Sequence, residues 1–429
     1  MEAGGIGLEL RGTTRGARLK MAVLASFCEP ASAVATQLGE FTERDWQRTL
    51  RWLDLTGLAL YLLDRITSLG VQNCLPNPIL ERLQRNLADN RERSSALFQE
   101  TIAIASELRR ANVSFALLKG ITLSPESVPD ISLRCQMDID ILIRSSDAIA
   151  ARDILLGFGY VLESIKEQEW CFTAGVERTM KMDTLYKVRP QRMVELHLLP
   201  ASDQRGAAVL EDRLARARPR FIQGSEFPAL SPPDLFVQQA LHIFNHLCSE
   251  HTRAQWLLEY WRNVLARRDD AAFWKDVESI ACDEPRADVA LGAVTLLATL
   301  LFGDFAPREL LLWLMDRLPR AERLWIETYG RRVLLADFQA SKLYMLLRQQ
   351  LSTRGHPKQV SRWRFLLPFH WWPVRITHSP AEERLPARLM RYRFEAGYAL
   401  RRLKFHLRTS IPYAIECMRW RRILADRRN

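Results

Sequence analysis

Residues 138–143 read Asp-Ile-Asp-Ile-Leu-Ile, acid alternating with aliphatic and closing on an aliphatic run. A period of two is the mark of a β-strand, whose successive side chains point to opposite faces. Asp138 and Asp140 then project to one side, about 7 Å apart along the chain, while Ile139 and Ile141 enter a core. Two acids so placed suit a pair of magnesium ions separated by roughly 3.5–4 Å, as in-line phosphoryl or nucleotidyl transfer requires. The plainer reading of the same letters is a solvated strand face.

Outward from this strand, Met193–Leu198 (MVELHL) repeats the pattern, with Glu195 and His197 on one face and Val194, Leu196 and Leu198 on the other. On an adjoining strand Glu195 would complete a set of three carboxylates or accept a proton from an acceptor group; otherwise it pairs with a nearby arginine. His197 reads as a hydrogen-bonded sheet residue or a catalyst. Upstream, the strand-like run Val113–Leu118 ends at Lys119-Gly120, where a triphosphate would meet an ammonium and backbone N–H groups. Arg134, four residues before Asp138, is suited to pair with phosphate or to be solvated.

The flanks change period. Asp45–Leu53 repeats apolar residues at helical spacing, and Pro76 and Pro78 open a long helix running to Arg110, with Asn112 as a left-handed stop. A helix capped by Ser145 or Asp147 follows the acidic strand, then strand-like pieces at Tyr160–Leu162, Trp170–Ala174 and Leu185–Val188. After Pro232-Pro233 the pattern is helical again. The expected organisation is a loose arm over 1–20, a helical region over 21–111, a mixed core over 112–200, a helical domain over 201–360 and a basic, aromatic-rich helical tail over 361–429. The fold class is α+β: a small mixed sheet flanked by N- and C-terminal helical regions.

With 48% hydrophobic and 26% charged residues among 429, the chain is neither disordered nor fibrous. Seven scattered cysteines without a CxxC suggest neither a disulfide framework nor a zinc ribbon, and fit a reducing cytoplasmic setting. The apolar stretch Val289–Gly303 is shorter than the roughly 20 residues of a membrane-spanning helix, and Met21–Phe27 is a poor secretion signal. His242 and His246 share a helical face with His251 beyond them, but HIFNH lacks the glutamate of HExxH, leaving packing, capping or metal as their roles. Residues 361–429 hold 16 Lys and Arg against 5 Asp and Glu, so the whole net charge of +11 falls there. Their interleaved arginines and aromatics suit nucleic acid, an anionic membrane surface, or a helix packed inward.

The run LLKGITLSPESVPDISLRCQMDIDILI (117–143), followed by GFGY and VELHL, resembles the bacterial uncharacterised nucleotidyltransferase family, a branch of the DNA polymerase β-like superfamily. DWQRTLRWLDLTGLALYLLDRI looks like that family's helical lead-in and LSPPDLFVQQALHIFNHLCSEHTRAQWLLEYW like its helical segment after the core, so the resemblance covers roughly residues 20–265. It implies a sheet of about five strands, with Asp138 and Asp140 as ligands to Mg2+ and Glu195 as the third acid. Lys119-Gly120 stands where the superfamily has Gly-Ser, so Lys119 would take over the serine's hold on the triphosphate. The implied reaction is attack by an acceptor hydroxyl or phosphate on the α-phosphorus of an NTP, with release of pyrophosphate. The acceptor, whether small molecule, lipid-linked sugar, peptide or protein, stays open. So do two alternatives: a non-catalytic relative binding a nucleotide or partner, and a nucleic-acid or membrane-surface module acting through the tail.

Overall fold

Seven strands form one mixed sheet around the acidic segment: β1 Phe115–Leu117, β2 Ile139–Arg144, β3 Val161–Lys166, β4 Glu169–Ala174, β5 Arg192–Leu199, β6 Arg218–Ile222 and β7 Ser225–Ala229. Their order is β3-β4-β5-β2-β1-β7-β6, with β2 parallel to β5, β1 parallel to β7 and the other pairs antiparallel. The computed structural model describes residues 14–166, 168–175, 182–199, 213–250, 252–336, 342–352 and 385–426.

The alternation in β2 sorts its side chains as expected. Ile139, Ile141 and Ile143 join Val194, Leu196 and Phe172 in a core closed by Phe98, Ile104 and Leu108 of helix Asn77–Arg110 and by Ala151 and Leu155 of helix Ala148–Gly157. Asp140 and Leu142 turn to the opposite face. The helix Asn77–Arg110, about 50 Å long at 1.5 Å per residue, spans two cores, because Ile79 and Leu83 near its start belong to a helical one.

That helical core unites both flanks. Leu19, Trp46 and Leu50 from the N-terminal side pack with Phe236, Leu257, Val294 and Trp325, and with Tyr413 and Trp420 of the C-terminal helix Leu385–Asp426. Local signals agree with it: Thr42 and Asp45 form a reciprocal capping box on helix Glu43–Thr56. Gly57 ends that helix at φ 77, where a Cβ would lie 1.4 Å from the Gln255 side chain. Two of the expected apolar stretches are core helices. Helix Ala287–Phe302 buries Leu291, Val294 and Leu297, and helix Arg15–Ala25 buries Leu19, Val23 and Leu24. No helix among the described residues is long and apolar enough to cross a membrane.

Several expectations are corrected. The arm over 1–20 ends earlier, since Arg15 already begins a helix; residues 1–13 lie outside the described residues. Among the described residues the sheet has seven strands, not about five, and β6 and β7 lie beyond position 200. Leu185–Val188 is not a strand. The Leu185 carbonyl accepts from the Arg93 guanidinium, and the Tyr186 hydroxyl donates to Asp54 Oδ1 at 3.0 Å, so this segment is held by side chains in place of a ladder. Neither Ser145 nor Asp147 caps the following helix through its side chain: the Ser145 hydroxyl donates to the Leu199 carbonyl, and Asp147 makes no capping bond. The RWRF and HWW clusters of the tail lie outside the described residues.

Candidate active site

The parallel pairing of β2 with β5 sets Asp140 opposite Glu195 and Leu142 opposite His197, so Asp140, Glu195 and His197 share the face turned away from helix Asn77–Arg110. Asp140 is 2% exposed. Its Oδ1 lies 3.0 Å from Lys119 Nζ and 3.2 Å from His197 Nε2, and the same His197 nitrogen is 3.7 Å from Glu195 Oε2. Asp140 Oδ2 is buried with no hydrogen-bond partner. One potential ligand atom from each of Asp140, Glu195 and His197 lies within 4.8 Å of the others. Asp138, the residue before β2, stands on the cavity wall outside that group.

Burial opposes charge on Lys119, Asp138, Asp140 and His197, and their neighbours reinforce or outweigh it. Burial, then the Asp140 charge, pushes the Asp138 carboxyl up to about 6. Burial acts on Asp140 in the same sense, but the Lys119 ammonium and the His197 hydrogen bond outweigh it and hold this carboxyl well below the usual range. Burial lowers His197, yet hydrogen bonds to Asp140 and Glu195 raise it to about 9. Lys119, also penalised by burial, is held protonated by Asp140 and Asp138.

The segment before β2 is fixed from the long helix. Asn90 Nδ2 donates to the carbonyls of Ser132 and Arg134 at 2.6 and 3.3 Å, and Arg93 donates to the Gln136 carbonyl at 2.9 Å. These two polar residues, buried on a helix otherwise read for its leucines, determine where Asp138 stands. Gly120 takes φ 73 beneath Gln136, whose Nε2 would lie 2.2 Å from a Cβ, so its backbone is covered by that side chain. Arg134 is 9% exposed and donates through Nε to Glu259 Oε1 at 3.1 Å; the same carboxylate oxygen accepts from the Tyr61 hydroxyl at 2.8 Å.

A cavity of about 870 Å³ opens over this face, reached by Lys119, Arg134, Asp138, Glu195 and His197. Its other wall carries His242, His246, Arg253 and Trp256. The two histidine rings are 4.6 Å apart and lie 4.8 and 4.4 Å from the Trp256 ring, with the Arg253 guanidinium 5.4 Å from that ring. Burial, then Lys119 and His246, pulls His242 down to about 2, so it is a neutral ring in an aromatic cluster. His251 lies outside the described residues. Arg253, Trp256 and Glu259 escape a search for acidic motifs, because helix Ala254–Ala266 shows only ordinary amphipathic spacing.

The site thus combines a buried acid with an unpartnered oxygen, a second acid and an imidazole beside it, and cations around one cavity. The three clustered donors fit a divalent metal, and the orphaned Asp140 Oδ2 is the atom such an ion would satisfy. Residues 42–303 match the model of a family described as uncharacterised nucleotidyltransferase. Comparison with curated proteins gives no match.

Proposed function

We propose that this chain, which belongs to the uncharacterised nucleotidyltransferase family, transfers a nucleoside monophosphate from an NTP to an acceptor hydroxyl or phosphate. The observation that carries the proposal is the buried Asp140, one oxygen unpartnered, beside Glu195 and His197, which line a cavity together with Lys119, Arg134 and Arg253. Asp140 and Glu195 would hold magnesium, with Asp138 or His197 completing the set. Bound there, the ion would supply positive charge against the phosphate oxygens of the transition state.

Lys119 and Arg253 then orient the triphosphate, and the aromatic wall of His242, His246 and Trp256 excludes water from one side. The acceptor oxygen bonds to the α-phosphorus as the bond to the bridging oxygen breaks, and pyrophosphate leaves with that electron pair. Glu195, on the cavity wall, takes the acceptor's proton. The test is incubation with each α-labelled NTP and magnesium in a host lysate. Asp140→Asn, which keeps shape but removes charge, should lower label transfer about a hundredfold while circular dichroism stays unchanged. Equal labelling by this variant would remove the site from the reaction.

A second reading has its own observation, the 3.0 Å ion pair of Lys119 with Asp140, in which an ammonium neutralises the buried acid. In that case the cavity binds a nucleotide without transferring it. Magnesium-independent NTP binding, with no label transferred in any lysate, would favour it.

A further inference from the structure

Helix Leu385–Asp426 has two faces of opposite character. The inner one is anchored. Phe405, Tyr413 and Trp420 are buried, Glu416 pairs with Arg332 and accepts from the Tyr329 hydroxyl at 3.1 Å, Arg402 pairs with Glu250, and Lys342 Nζ donates to Ser410 Oγ at 3.1 Å. The outer face repeats Leu400, Leu403, Leu407, Ile411, Ile415 and Met418 at steps of three and four, which at 3.6 residues per turn form one continuous row. All six are exposed, Ile411 at 72% and Leu407 at 69%. Arg401, Lys404, Arg408, Arg419 and Arg422, also exposed, run along one flank of that row.

We propose that this outer face docks the protein on an anionic lipid surface. The helix would lie in the plane of the interface, its aliphatic row at the headgroup boundary and its flanking cations on lipid phosphates. Charge selects this occupant. The helix carries ten Lys and Arg against three Asp and Glu, so a second copy laid along the row would oppose basic flank to basic flank. Residues 353–384, with six Lys and Arg against two Asp and Glu, carry the same sign. Nucleic acid would satisfy the arginines but leave the leucines, isoleucines and methionine in water, since base stacking uses aromatic rings.

The test uses the full chain, sedimented with vesicles of phosphatidylcholine alone or with about one third phosphatidylglycerol, a composition giving a negative surface potential. The protein should sediment with the anionic vesicles only, and less as salt is raised. Combining Leu400→Ser, Leu407→Ser, Ile411→Ser and Ile415→Ser should lower the bound fraction roughly tenfold or more without changing Tm, because these four side chains are more than half exposed. Arg401→Gln, Lys404→Gln and Arg408→Gln together should also reduce binding. Absence of anionic-vesicle binding by the wild type overturns the proposal, as does undiminished binding by the serine variant, which would mean polyanion attraction alone. So does a wild-type dimer that the serine changes convert to a monomer without any vesicle binding. A lower Tm in the serine variant would assign the row to a segment of this chain, with the same consequence.

Discussion

At Asp140 one carboxylate oxygen meets both Lys119 and His197 while the other meets nothing, and this asymmetry makes Lys119 a residue with two opposed effects. Its ammonium attracts phosphate, yet it also neutralises the acid that a metal needs. Lys119→Met should therefore weaken NTP binding by about 1–3 kcal/mol, the range for a charge-assisted hydrogen bond, and strengthen binding of magnesium alone. Titration calorimetry reads both; a loss of magnesium affinity would show that the ion pair organises the acid. Arg134 is a different case. It was expected to meet phosphate, and it lines the cavity, but its guanidinium is already paired with Glu259. Removing one member of a buried pair strands the other, so Arg134→Ala should cost about 3–5 kcal/mol in urea unfolding, and Arg134→Met with Glu259→Met together should cost less. Unchanged stability in the alanine variant would free Arg134 for phosphate alone.

Among the elements, those legible in the sequence are those whose local pattern and tertiary role coincide. Helix Asn77–Arg110 and strand β2 are examples, the first opened by prolines and stopped at Asn112 with φ 54, the second sorted by alternation. The hairpin β6–β7 is not legible in the sequence because Pro219 and Pro228 stand opposite each other in it, and proline argues against a strand. Its two-residue turn, Gln223-Gly224, takes φ of 46 and 80, which Asn-Gly would have announced and Gln-Gly does not. The site divides in the same way: Asp140 and Glu195 declared themselves by strand parity, whereas the wall residues Arg253 and Trp256 are placed only by how helices cross. Helix Leu385–Asp426 offers a test at this scale. Burial opposes charge on Glu416, but its hydrogen bond and ion pair with Arg332 keep its pKa below the ordinary 4.5. A depressed folded-state pKa means that the anchor contributes fully above the unfolded value and is lost as pH falls through the folded one. Protection of this helix against amide exchange, taken relative to the intrinsic rate at each pH, should fall below about pH 4.5, starting from the ordinary glutamate value, and Glu416→Gln should be less protected at neutral pH with a flatter acid response. Identical profiles for the two proteins would assign the acid response to other groups.

For the molecule as a whole, charge and packing divide the chain differently. By charge the last 69 residues stand apart, since the first 360 are formally neutral; by packing, Tyr413 and Trp420 lie in the same core as Leu19 and Trp46. The family match ends at Gly303, so the helix that completes this core lies outside the matched region. Composition registers charge over any window but says nothing of which aromatics face inward, and the tail's anchoring is set by partners far away in the sequence, Arg332 and Glu250 among them. Removing residues 353–429 separates the two divisions. If packing governs, the loss of Phe405, Tyr413 and Trp420, each contributing about 1.5–3 kcal/mol by burial, uncovers Trp325 and Tyr329 and removes Arg402 from Glu250 at the cavity wall. The truncated protein should then melt at lower temperature, bind a hydrophobic dye and lose solubility, while NTP still raises its Tm because Lys119, Asp140 and Glu195 remain on an intact sheet. If charge governs, the truncated protein melts like the full chain and differs only in leaving a heparin column at low salt. A Tm within about one degree of wild type, where 1 kcal/mol moves a chain of about 350 residues by little more than 1 °C and the loss of three buried aromatics moves it by several degrees, would make the helix an appendage and contradict its place in the core.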